Sequence, residues 1–164
     1  MYDTHIKTLL ESISEVRFHF GPRSGGTYGA RSCSQEFIQI LLDAGYTPGC
    51  KTYTVRVPKK IREENTKLQA AFLRGLFATD GCVRLAKING SPTATYPRIS
   101  LTSASKQLII DAHKVLSRLT IRAVTSQKKA HYRIDINGEE QLRLFEQEIG
   151  ILQPKHRERV RRYL

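Results

Sequence analysis

The chain has three cysteines, Cys33, Cys50 and Cys82, and no two stand in a C-x-x-C spacing. An odd number without paired spacing argues against a zinc site and against a disulfide framework. Reduced thiols in an intracellular, cytoplasmic protein are expected. No run approaches the ~18 apolar residues of a membrane-spanning helix. No charged-then-apolar leader opens the sequence, so no membrane partner is expected. His5, His19, His113, His131 and His156 show no paired ligand spacing. A Ser-His-Asp arrangement, a phosphate loop and a dinucleotide fingerprint are all missing. Acidic residues are scarce: 15 Asp plus Glu stand against 27 Lys plus Arg, a net charge of +12. That imbalance points to a polyanionic partner, nucleic acid before an anionic membrane surface.

What is present suffices for a core: 164 residues, 40% of them hydrophobic, make one ordinary domain or an internal duplication. The stretch that organises the rest is Leu68 to Val83, LQAAFLRGLFATDGCV. Its apolar residues fall on nearly every side of a helix, which predicts a buried one. Gly75 and Thr79, four apart, share a face. Glycine inside a helix costs about 1 kcal/mol against alanine, so a close neighbour is expected there, a second helix. Asp80 ends the run. A carboxylate at a helix C-terminus opposes the dipole, so two readings stand: a turn residue before Gly81, or a metal ligand.

Along the chain, Thr4–Ser14 and Ser34–Ala44 read as amphipathic helices, the second capped by Ser34 and stopped by Gly45. Between them Val16 to Phe20 and Thr27 to Cys33 alternate as strands around the GPRSGG loop. Arg17, His19, Arg23 and Arg31 supply the positive charge of that hairpin. TPGCK, residues 47–51, is a turn, Tyr53–Val57 an extended segment, and Lys59–Lys67 a charged linker. After the central helix come strands at Cys82–Ile88 and Arg98–Thr102, and a helix from Ser103 or Ser105 to Leu119. A strand over 121–127, a Lys128-Lys129 turn, a strand over 131–136 and a helix from Glu139 to Ile149 follow. Residues 3–51 and 105–155 then share one order: helix, strand, strand, helix, Gly, Pro, Lys. The spacing from Gly45 to Lys51 is close to that from Gly150 to Lys155, which argues for duplication. The boundaries expected are an incomplete N-terminal repeat at 1–58, a linker at 59–67 and a complete repeat at 68–164.

The strands of the second copy carry Arg84, Lys87, Arg98, Arg122, Lys128, Lys129, His131 and Arg133. Their other faces match the amphipathic helices. The expected fold is therefore α+β, an antiparallel sheet with helices on one side and a basic surface on the other. Such a surface can lie in a DNA groove, with Arg and Lys on phosphates or guanine edges and Gln127 or Asn89 on adenine. At its edge Asp80 could hold Mg2+ against a scissile phosphate. Lys51 and Lys155, at matching offsets in the two copies, could polarise water or stabilise charge.

Residues 72–83, FLRGLFATDGCV, resemble the signature helix of the LAGLIDADG homing endonucleases, with LRGLFATDG at 73–81 as the nine-residue core. The resemblance extends through SLTSASKQLI (100–109), EIGILQPKHRERV (148–160) and LLDAGYTPGCK (41–51), and is greatest to the intein- and intron-encoded branch. It implies an αββαββα repeat with a DNA-reading saddle, and cleavage of double-stranded DNA with Mg2+ or another divalent cation. It implies that Asp80 binds that metal and that Lys51 and Lys155 flank the active sites. Gly75, Thr79 and Leu76 are implied to pack against a second signature helix, and Ala78 stands where family members often carry an acid. This chain has one signature helix. The resemblance therefore implies a homodimer through Leu68–Asp80, a split partner, or a relic or regulator that binds DNA without cutting. An RNA-binding intron maturase is a further alternative.

Overall fold

The computed structural model describes residues 6–13, 16–22, 24–26, 28–88, 90 and 92–161. The chain divides into two compact units, Met1–Thr47 and Pro48–Leu164.

In the first unit, α1 (Lys7–Ile13) precedes a hairpin of β1 (His19–Pro22) and β2 (Tyr28–Arg31), and α2 (Gln35–Asp43) follows. The hairpin pairs His19 with Arg31 and Phe20 with Ala30. Val16 to Phe18, expected in the strand, lie outside it; the Phe18 ring instead stands edge-on to Phe37 of α2, 4.8 Å between centroids. Ser34 is the N-cap as expected, its Oγ accepting from the Phe37 N–H at 3.2 Å. Neither helix has a buried residue, and Ile38 of α2 is 49% exposed.

The second unit begins with a strap. Lys51 to Val55 is a turn rather than an extended segment, closed by Thr54 N–H and Val55 N–H on the Lys51 carbonyl at 3.1 and 2.9 Å. The expected linker at 59–67 folds into α3 (Lys59–Glu63) and the start of α4 (Thr66–Asp80). Asn65 caps α4, accepting from Leu68 N–H at 3.1 Å. The chain then runs β3 (Gly81–Lys87), β4 (Ala94–Ser103), α5 (Lys106–Arg118), β5 (Val124–Lys128), β6 (His131–Asn137), α6 (Glu139–Glu148) and α7 (Pro154–Arg161). The four strands form one antiparallel sheet in the order β3-β4-β6-β5. β4 starts at Ala94, earlier than its alternation suggests, because pairing with β3 carries it back through Pro97. Ile121, expected in a strand, is buried in the core instead, and β5 starts at Val124. The basic tail forms α7.

One face of the sheet is apolar. Val83, Ile99, Leu101, Ile134 and Ile136 are buried there in one cluster with Leu73 and Phe77 of α4, Ala112 and Leu116 of α5, and Leu142 and Phe145 of α6. Each of these side chains other than Ala112 contributes roughly 1.5–3 kcal/mol. Among the described residues, every buried hydrophobic lies between Val57 and Val160.

α4 is not buried on all sides. It buries Gln69, Ala70, Leu73 and Phe77, while Leu68, Ala71, Gly75, Thr79 and Asp80 are exposed. The sheet and α5 cover one side only, and a Cβ built on Gly75 would meet nothing within 4 Å. Gly81 shows the opposite constraint: a Cβ there would stand 2.3 Å from the Phe77 carbonyl oxygen. That contact is why a glycine follows Asp80, for only a bare Cα lets helix pass directly into strand here.

Candidate active site and nucleic-acid interface

The register fixes what lies near Asp80. Gly81 pairs with Leu101, so the end of β4 and the start of α5 stand at the same end of the sheet as the end of α4. Asp80 is exposed there, and Thr79 Oγ1 lies 3.2 Å from its Oδ2 and 3.0 Å from the Leu76 carbonyl. Ser105, the N-cap of α5, donates its hydroxyl to the Val55 carbonyl. The Lys51 turn is thereby held at this end as well. From Val55 the strap climbs α5. Arg56 binds the buried Asp111 carboxylate through Nε at 3.1 Å and Nη2 at 3.3 Å, and Gln107 donates to the same carboxylate at 2.9 Å. Arg118 then takes the Arg62 carbonyl at 2.9 Å.

Lys155 arrives from the other side. Gln153, just before α7, donates Nε2 to the Ala78 carbonyl, and Arg159 donates Nη1 to the Val83 carbonyl at 2.8 Å. Lys155 is exposed in the first turn of that helix. The structure thus brings Asp80, Lys155 and the Lys51 turn to one end of the second unit. Among the described residues no cluster of three or more His, Cys, Asp or Glu gathers.

His156 faces inward on α7 and is buried, with Nδ1 lacking a hydrogen-bond partner. Burial holds its imidazole below the usual range, and the Arg159 and Lys155 charges push the same way. A cavity of about 10 Å3, close to one water, adjoins it, lined by Arg74, Phe77 and Cys82 among others. Glu146 on α6 is pushed up by burial, against the opposing Arg157 charge. The exposed Cys50 thiol is lowered by hydrogen bonds from the Thr52 backbone and side chain.

The second sheet face is polar, and directly opposed residues share it. Arg84, Arg98 and Asn137 form one row; Cys82, Ser100, Asp135 and Val124 the next; Thr102, Arg133 and Ser126 a third. Lys128 opposes His131 at the far turn, where Lys129 has φ 54°. Arg84, Lys87, Lys128, Lys129 and His131 are exposed. Lys87 sits at a bulge, so its direction does not follow from alternation. Arg133 is held by Asp135, Nη2 to Oδ1 at 2.8 Å. Arg122 lies before β5 rather than on the sheet and pairs with Glu140. Arg98 Nε and Asn137 Oδ1 are buried without a protein partner. Asn137 escaped the sequence reading, because Asn-Gly there signals a turn. Gly138, at φ +91°, starts α6.

In the first unit, Arg17, His19 and Arg31 are exposed and line an open cleft of about 700 Å3. Arg23 lies outside the described residues, as do His5 and Asn89. Of the residues expected at a helix interface, Gly75 and Thr79 are on the exposed face of α4, whereas Leu76 is half-buried and packs on the core.

The profile of the LAGLIDADG-like domain matches residues 67–150, about half of the chain. The chain belongs to the LAGLIDADG family. Its α+β saddle is the family's fold. A structure of the homing endonuclease I-DmoI superposes with a TM-score of 0.64 at 16% identity, covering 90% of this chain and 73% of that one. I-DmoI in complex with DNA and Mn gives 0.60 at 18% identity, covering 92% and 75%. The N-terminal LAGLIDADG domain of WhiA gives 0.55 at 16% identity, covering 91% and 67%. Two curated relatives are similar in sequence. The replicative DNA helicase DnaB of Rhodothermus marinus is 30% identical over 66% of this chain and 12% of its own length. The tRNA-splicing ligase RtcB of Pyrococcus furiosus is 31% identical over 82% of this chain and 15% of its own. The LAGLIDADG chain therefore spans about an eighth to a seventh of those relatives.

Proposed function

We propose that this LAGLIDADG chain is a site-specific endonuclease subunit that binds double-stranded DNA on its polar sheet face and hydrolyses a phosphodiester at Asp80. The observation that carries it is the convergence of Asp80, Lys155 and the Lys51 turn at one end of that sheet. Arg84, Lys128 and His131 are exposed on that face and reach the duplex, with the half-buried Arg98 between them. In the first unit, the exposed Arg17, His19 and Arg31 form a cationic cleft of their own that also suits phosphate. Asp80 fits one half of a Mg2+ site, since Mg2+ is commonly held by one or two carboxylates with substrate phosphates and water. When bound, the ion supplies polarisation of the phosphate. Lys155 and Lys51 stabilise the added negative charge.

The open face over Gly75 and Thr79 takes a second signature helix, from another copy or a split partner, which brings the second carboxylate. The relatives support a mobile, inserted origin. A helicase and a ligase share little chemistry, yet each matches over a small part of its length, which suits an intein-type element. Such an element works inside the cell.

The second reading is a DNA-binding regulator that does not cut, favoured by the lone Asp80 and the likeness to WhiA. The deciding assay is cleavage or nicking of the chain's own locus with Mg2+, with and without the product of the neighbouring reading frame. Cleavage is expected, and Asp80→Asn should abolish it while DNA binding survives. Binding without any cleavage in either mixture would leave the regulator.

A further inference from the structure

The last carbonyls of a helix have no partner within it, and an edge strand leaves alternate carbonyls unpaired. α4 ends at Asp80, and β3 is the edge of its sheet. Gln153, just before α7, and Arg159 within it take one such carbonyl from each. Gln153 donates to Ala78, two residues before Asp80, and Arg159 donates to Val83, three residues after it. The Gln153 carbonyl in turn receives His156 N–H and Arg157 N–H at 3.0 and 2.9 Å, opening α7. One residue thus ties the start of α7 to the end of α4. Lys155 lies between the two gripping side chains.

From this geometry we infer that Gln153 and Arg159 are positioning residues, which set Lys155 against Asp80 across the helix–strand junction. The inference rests on the endonuclease reading. Neither side chain touches DNA in this role. Each acts through the place it gives Lys155.

Gln153→Glu keeps the shape and removes the donor; Arg159→Ala releases the grip from its other end. On the duplex that the wild type cuts, each should lower the single-turnover rate about 10–100-fold, the scale of an ångström-sized misplacement. DNA affinity, measured with Ca2+ in place of Mg2+, should fall far less than the rate, since each substitution shifts the net charge by one and removes no phosphate contact. In a Lys155→Met background neither substitution should lower the residual rate further, a non-additivity that general destabilisation does not give. An unchanged rate, or losses that add to that of Lys155→Met, overturns the inference. If the wild type cuts nothing, alone or with the product of the neighbouring reading frame, the endonuclease reading fails by itself. Amide exchange then tests the grip: Gln153→Glu should speed exchange across 154–161 and leave α5 unchanged. Equal protection of α7 in both proteins overturns it, as does loss of α5 protection together with α7.

Discussion

His156 is the residue whose surroundings carry the plainest pH consequence. Its imidazole is buried among Phe77, Cys82 and Arg74, with Lys155 and Arg159 on its own helix. Because the folded protein holds its pKa below the unfolded value, the unfolded chain binds the extra proton first. The stability it allows is complete above the ordinary imidazole value of about 6.5 and is lost as pH falls below it. Glu146 runs the other way: raised by burial, it favours the folded state at low pH and loses that contribution as pH rises through its folded value. Comparing His156→Leu with wild type isolates the histidine. The urea midpoint of the variant should fall less than that of wild type between pH 7.5 and pH 5. Equal falls would mean that His156 protonates freely in the fold. The sequence showed this histidine only as one among five without ligand spacing, because much of its cover, Arg74, Phe77 and Cys82 among it, comes from residues more than 70 positions away. The place of Asp80 at the end of α4 was legible, since the Asp-Gly pair and the motif before it are local. Gln153 was not, because its partner is a backbone carbonyl that no side-chain pattern announces.

At the scale of elements, α4 separates stability from function. Gly75 has open space where a Cβ would go, so Gly75→Ala should stabilise the isolated chain by up to about 1 kcal/mol through helix propensity. If a second signature helix packs there, the same substitution should weaken association and slow cleavage. Urea denaturation and light scattering would read the two effects. A variant that gains stability and keeps full cleavage would show that nothing packs over Gly75. The helices and strands of the second unit were legible because burial follows their periodicity: Leu108, Ile109, Ala112, Val115 and Leu116 of α5 are all buried. The strap was not. Lys59–Lys67 is rich in charge, and α3 forms where that charge meets α5. Asp111, buried on an otherwise apolar face, was the one available signal, since a buried carboxylate demands cations. Arg56 and Arg62 supply them, at 3.1 and 3.9 Å. The all-round apolar character of α4 misled in the other direction, because the surface that would bury its second side is not in the second unit.

For the molecule as a whole, the two units are built unequally. The first has no buried residue in either helix, while the second holds the entire described core. Amide protection over 1–47 should therefore vanish at lower urea than protection over 106–148. A single transition shared by both regions would show that the units fold as one. Addition of a partner carrying a signature helix should raise the stability of the second unit, whose α4 it would cover, by linkage.

The place of Lys51 has a genetic consequence. Its repeat pattern groups it with the first copy, yet it lies beyond Thr47, and its turn is tied to Ser105 of the second unit. A gene broken between codons 47 and 48 would leave both lysines with Asp80 in one product. A break at codon 58, where the repeat pattern would put the seam, would send Lys51 away with the smaller piece. Fission and fusion of such genes would accordingly tolerate breakpoints before Pro48 and select against them between Lys51 and Arg62.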